Sequence, residues 1–193
     1  MKQIDQYIAE KFKLSSKNIQ KKKVKTFVEL KNLIACEYEE QGHPEILDLN
    51  HIDITELDNL IYLFDYDGFK INNVDVSDWD VSNIRDFQGT FMGMHNFDCD
   101  LSNWDVSKAN GFESMFFECY KFKGKGLEHF DLSNAKDIQF MIAKCNSITD
   151  EIDFNPWFKQ LQSVDLKHQL YTCLKTCKLS QDVLHDYRDK YLA

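Results

Sequence analysis

Only two prolines and seven glycines occur in the 193 residues. That scarcity excludes collagen-like, fibrous and low-complexity classes. No apolar run approaches the roughly 20 residues that a membrane helix needs. The opening Met1-Lys2-Gln3-Ile4-Asp5 has no apolar h-region, so no secretory signal is expected. Glycine-rich phosphate loops are also missing: Gly124-Lys125-Gly126 is too short and lacks the Walker spacing. There is no Gly-x-Ser-x-Gly elbow for a nucleophilic serine. His43, His51, His95, His129, His168 and His185 form no pair at a metal-ligand spacing. Cys36, Cys99, Cys119, Cys145, Cys173 and Cys177, without a signal peptide, are expected as reduced thiols of a cytoplasmic protein. A surface location would need an export route that the sequence does not display. These absences predict no enzyme, no cofactor and no metal.

What the chain does have is a repeat. Ile52-Asp53-Ile54-Thr55, Trp79-Asp80-Val81-Ser82, Trp104-Asp105-Val106-Ser107 and Phe130-Asp131-Leu132-Ser133 follow one another at spacings of 27, 25 and 26 residues. A degenerate fifth copy, Ile152-Asp153-Phe154-Asn155, follows 22 residues later. Such a period predicts a solenoid whose units bury their apolar faces against one another. Within the tetrapeptide, apolar first and third positions predict a half-buried strand with its aspartate turned outward. The fourth position is a good helix N-cap in every copy. Apolar residues five, eight and twelve places after the first tetrapeptide position then predict a short helix: Ile84, Phe87 and Phe91 in the second unit, Ala109, Phe112 and Phe116 in the third. Cys119 and Cys145 share one position of the repeat and should stack in neighbouring units.

The phrases Asp78-Trp79-Asp80-Val81-Ser82, Asn103-Trp104-Asp105-Val106-Ser107, Gly89-Thr90-Phe91-Met92 and Ser114-Met115-Phe116-Phe117 resemble the BspA-like leucine-rich repeats of bacterial surface proteins. The lead-in from Lys25 to Ile34 is similar to the segment that precedes such repeats, and the resemblance spans roughly residues 25 to 155. It implies protein binding or adhesion without a catalytic centre. The fold class expected is therefore α/β: a short right-handed leucine-rich-repeat-like solenoid with one parallel strand and one short helix per unit, capped by helices at both ends. The division expected is a helical N-terminal cap over residues 1–47, four to five repeats of about 26 residues over 48–155, and a helical C-terminal cap over 156–193.

Charge is unevenly spread. The overall balance is −9, of which residues 51–155 carry −12, residues 1–50 carry +1 and residues 156–193 carry +2. The acidity belongs to the repeats and points away from nucleic acid and membranes, toward a protein partner with a basic surface. The candidate binding residues form an acidic strip: Asp53, Asp78, Asp80, Asp105, Asp131 and Asp153. Two other accounts of the recurring aspartate stay open: local hydrogen bonding to the following turn, and a calcium ladder. The function expected is protein binding by a monomer through this acidic face. A narrower alternative is a small intracellular acidic inhibitor that blocks a basic, nucleic-acid-binding site on its target. In the flanks, Ile4, Tyr7, Ile8 and Phe12 predict a helix over 2–13, and Lys21–Lys25 a solvated basic connector. Thr26-x-x-Glu29 predicts a capping box, Asn155-Pro156 a helix start, and Ser180 the cap of a last helix.

Overall fold

A computed structural model describes residues 21–65 and 71–193. The helix expected over residues 2–13 lies outside the described residues. Among those described, the chain is mixed α/β, with four α-helices and two short parallel strand pairs. In order these are β1 (Lys22–Lys23), α1 (Phe27–Glu40), β2 (Leu47–Asp48), β3 (Ile52–Asp53), β4 (Val74–Asp75), a 3₁₀ turn (Leu127–His129), α2 (Asn155–Gln160), α3 (Val164–Leu174) and α4 (Gln181–Tyr191). β1 pairs with β3 in the register Lys22↔Ile52, and β2 with β4 in the register Leu47↔Val74. No helix among the described residues is long and apolar enough to cross a membrane.

Beyond β3 the tetrapeptides are not strands, and the main ladder between units lies elsewhere. Parallel bridges join Asn59 to Asp86, Asp86 to Gly111 and Gly111 to Asp137. Around them the backbone N–H groups of Leu60, Phe87 and Phe112 donate to Asp86, Gly111 and Asp137 at 2.8–2.9 Å. Those of Tyr62, Gly89 and Ser114 donate to Gln88, Glu113 and Gln139 at 2.8–2.9 Å.

The short helix expected in each unit is not formed. Its place is taken by consecutive turns, in which the N–H groups of Thr90, Met115 and Met141 return to the carbonyls of Phe87, Phe112 and Ile138. The physical reason is a left-handed residue inside each segment: Tyr62, Gly89, Ser114 and Phe140 have φ of 49°, 61°, 55° and 57°. One such residue ends a right-handed helix. It also turns every second N–H toward the next unit. Burial nevertheless follows the sequence pattern. Leu60, Phe87, Phe112 and Ile138 are fully buried, as are Phe91, Phe116 and Ile142 in the next apolar column. Phe64, Phe91 and Phe116 stack at 5.5 Å between successive centroids, and Phe97 and Phe122 close against them at 4.2 and 4.6 Å.

Both ends of the core are covered. At the first, Thr26 and Glu29 form the expected capping box, and α1 buries Leu30, Ile34 and Glu37. Lys21–Lys25 is not a free connector. β1 adds a rung to β3, and its lysines reach Glu37 at 2.6 Å and Glu56 at 2.9 Å. At the second, α3 side chains meet the N–H groups that a further unit would accept: Ile138 donates to Gln169 at 3.1 Å, and Lys144 to Thr176 beyond the helix at 2.7 Å. Ser180 caps α4 as expected, Ser163 caps α3, and Tyr191 stacks on Phe158 at 4.7 Å. α2 begins at Asn155 itself, so Asn155 is not its N-cap.

Candidate functional site

The acidic strip is built from one local device. In each tetrapeptide the aspartate carboxylate accepts the backbone N–H two residues ahead. Asp53, Asp80, Asp105, Asp131 and Asp153 take the N–H of Thr55, Ser82, Ser107, Ser133 and Asn155 at 2.9–3.0 Å. This Asx turn competes with regular strand pairing. It explains why the tetrapeptide alternates in burial yet forms almost no strand. Trp79 and Trp104, at the first position, are both 2% exposed. Their indole N–H groups donate to the carbonyls of Leu49 and Val76, one unit back, at 2.9 and 3.1 Å. The apolar side thus anchors each turn while its carboxylate stays at the surface.

Asp80, Asp105 and Asp153 are exposed, and Asp53 and Asp131 are half-buried. Asp78 is also exposed. Its backbone N–H donates to Asn50 Oδ1 at 2.8 Å, and its carbonyl accepts from Lys21 at 3.0 Å. Among the described residues, no lysine or arginine comes within ion-pair reach of Asp80, Asp131 or Asp153. The carboxyls of Asp53 and Asp105 are held below the ordinary aspartate value, chiefly by their bonds from Thr55 and Ser107, with smaller help from Lys23 and Lys108.

A second column of the same turns was not legible as such in the sequence. Asp48, Asp75 and Asp100 accept the N–H of Asn50, Ser77 and Ser102 at 3.0–3.1 Å. Asp86 and Asp137 on the ladder do likewise for Gln88 and Gln139. The signal was the Asp-x-Ser and Asp-x-Gln spacing, which recurs outside the tetrapeptide. Asp75, Asp98 and Asp100 line a cavity of about 150 Å³ together with Cys99. Lys125 pairs with Asp100 at 2.6 Å and Lys123 pairs with Asp98. Among the described residues no cluster of three histidine, cysteine or acidic side chains is placed to hold a metal ion.

All six cysteines are free. Cys119 and Cys145 do share a register, donating to the carbonyls of Phe91 and Phe116 at 3.1 Å, and Cys177 continues the column with Ile142 at 3.3 Å. Burial pushes all three thiols up, Cys177 to about 12. They are far from the thiolate that redox or nucleophilic chemistry requires.

Residues 28–157 match the family described as a Mycoplasma protein of unknown function, DUF285. The chain belongs to this family. No curated protein and no solved structure matches it. The DUF285 match begins within α1 and ends within α2. It therefore contains all five tetrapeptide aspartates and the whole ladder, and leaves β1, α3 and α4 outside.

Proposed function

We propose that this protein is a non-enzymatic protein-binding module, a short right-handed solenoid of the BspA-like leucine-rich-repeat kind, acting as a monomer. Its acidic face receives a partner with a basic surface. The observation that supports this most is the fixed placement of the carboxylates. Asp53, Asp80, Asp105, Asp131 and Asp153 are each pinned by a backbone N–H, and among the described residues no lysine or arginine forms an ion pair with Asp80, Asp131 or Asp153. Like charges held in a row repel, and a cationic partner relieves that repulsion. The ladder bonds between successive units support the solenoid reading. The six free cysteines, four of them buried, support a reducing, cytoplasmic setting. A second reading, an acidic inhibitor that occupies a nucleic-acid-binding site on its target, draws on the same −12 balance over residues 51–155.

The experiment is affinity capture from the native host on the immobilised full chain, beside the Asp80→Asn/Asp105→Asn/Asp131→Asn variant. A basic protein retained by the wild type, released by rising salt and lost on the variant is the expected result. Competition between that protein's nucleic acid and this chain would select the inhibitor reading. Equal capture on both columns, unaffected by salt, would remove the acidic face from the account.

A further inference from the structure

We propose that the ladder side of the molecule carries an apolar anchor point at Phe117 and Phe140. It takes an aromatic or long aliphatic side chain presented on a basic peptide segment of the partner. This rests on the protein-binding reading above and adds an apolar contact to its electrostatic one.

Phe140 is 43% exposed, and its backbone is left-handed at φ 57°. A side chain with a bulky Cβ substituent is disfavoured there, and earlier units place Tyr62, Gly89 and Ser114 at the equivalent position. Phenylalanine at this position relieves no strain and fills no core. Such a residue points to a contact made outside the chain. Phe117, from the neighbouring unit, meets Phe140 edge-on with centroids 6.0 Å apart and is itself only half-buried. Met92 holds the register of Phe117 one unit back and is also half-buried, so the apolar strip continues along the ladder.

The charge around the strip selects the occupant. The four ladder segments 58–65, 85–92, 110–118 and 136–144 carry six acidic and three basic side chains. This sign disfavours acidic peptides and anionic lipid surfaces. The face already seats one ammonium group: Lys144 Nζ lies 4.9 Å above the Phe117 ring and 2.7 Å from Glu118 Oε1. Aromatic face plus carboxylate is the chemistry that recognises lysine and arginine.

The test uses the full chain and three synthetic peptides of equal length, lysine–phenylalanine, lysine–serine and glutamate–phenylalanine, with fluorescence anisotropy as the readout. The lysine–phenylalanine peptide should bind best. Phe140→Gly should weaken it by about tenfold or more, with a thermal melt unchanged or raised because glycine suits the left-handed backbone. The Asp80→Asn/Asp105→Asn/Asp131→Asn variant should weaken both lysine peptides alike and preserve the preference for phenylalanine over serine. Failure of the lysine–phenylalanine peptide to bind, equal binding of the serine peptide, or unchanged binding by Phe140→Gly overturns the anchor. A marked fall in the melting temperature of Phe140→Gly also overturns it, because Phe140 then serves the fold. Each of these results leaves the acidic face to the capture experiment.

Discussion

At the scale of single residues, the most heavily committed side chain is Glu37. It is 6% exposed, and its carboxylate accepts from Lys22 at 2.6 Å, His51 at 2.9 Å and Gln41 at 3.2 Å. Burial alone raises its pKa, but these three partners outweigh burial and hold it at about 2, against an ordinary 4.5. The carboxyl is thus easier to ionise in the folded chain than in the unfolded one. Its contribution is complete above 4.5 and is lost as pH falls toward about 2. The difference corresponds to roughly 3 kcal/mol at neutral pH. Glu37→Gln should lower stability at pH 7 by about 1–3 kcal/mol and flatten the dependence between pH 5 and pH 2. Urea unfolding across that range checks it; a variant as pH-sensitive as the wild type would show that Glu37 does not govern the acid limb. Nothing in the sequence marked Glu37. It sits in α1, 14 and 15 residues from His51 and Lys22, and its role exists only after folding.

At the scale of elements, the sequence periodicity correctly located burial and misassigned conformation. Offsets of three and four residues describe an α-helix, but also a string of turns that puts the same side chains inward. Only backbone angles separate the two, and the left-handed positions fall on Tyr62, Ser114 and Phe140, which carry no glycine signal. Gly89 hinted at it, with the Tyr62 ring lying where its Cβ would stand. The acidic column was legible as a column, and local bonding of its aspartates was one of the accounts the sequence left open. The turn chemistry sharpens the choice of variant. Asparagine can still accept the N–H of residue i+2 through its side-chain oxygen, whereas alanine cannot. Asp80→Asn/Asp105→Asn/Asp131→Asn should therefore melt like the wild type while removing three charges. The alanine triple should lose about 0.5–1.5 kcal/mol per turn. Thermal unfolding of both variants decides it. An asparagine triple as unstable as the alanine triple would mean that charge, and not the accepted hydrogen bond, holds the turn.

At the scale of the whole molecule, every unit borrows satisfaction from its neighbour. Ladder N–H groups reach the next unit's carbonyls, and tryptophan and cysteine side chains reach the previous unit's carbonyls. Such a stack is complete only when its ends are closed. Trp157 shows how the closure was adapted. The fifth tetrapeptide has Ile152 where the second and third have Trp79 and Trp104. The indole instead comes from α2 and donates to Leu127 at 3.1 Å, the register position that Trp79 and Trp104 bond one unit back at Leu49 and Val76. At the other end, α1 supplies Leu30, Ile34 and Glu37 over the first unit, and Val24 follows β1 into the core. Removing residues 1–42 takes away that cover and leaves Leu47, Ile52, Leu57 and Leu60, now nearly fully buried, beside water. Burial of each such side chain is worth about 1.5–3 kcal/mol, so exposing four of them together approaches the stability of an entire domain. An end without its cap also offers unpaired backbone to other chains. The truncated chain should aggregate or bind a hydrophobic dye strongly. Size-exclusion chromatography with dye fluorescence checks this; a monomeric truncation with an unchanged circular-dichroism spectrum would mean that the units from Leu47 onward hold together without α1.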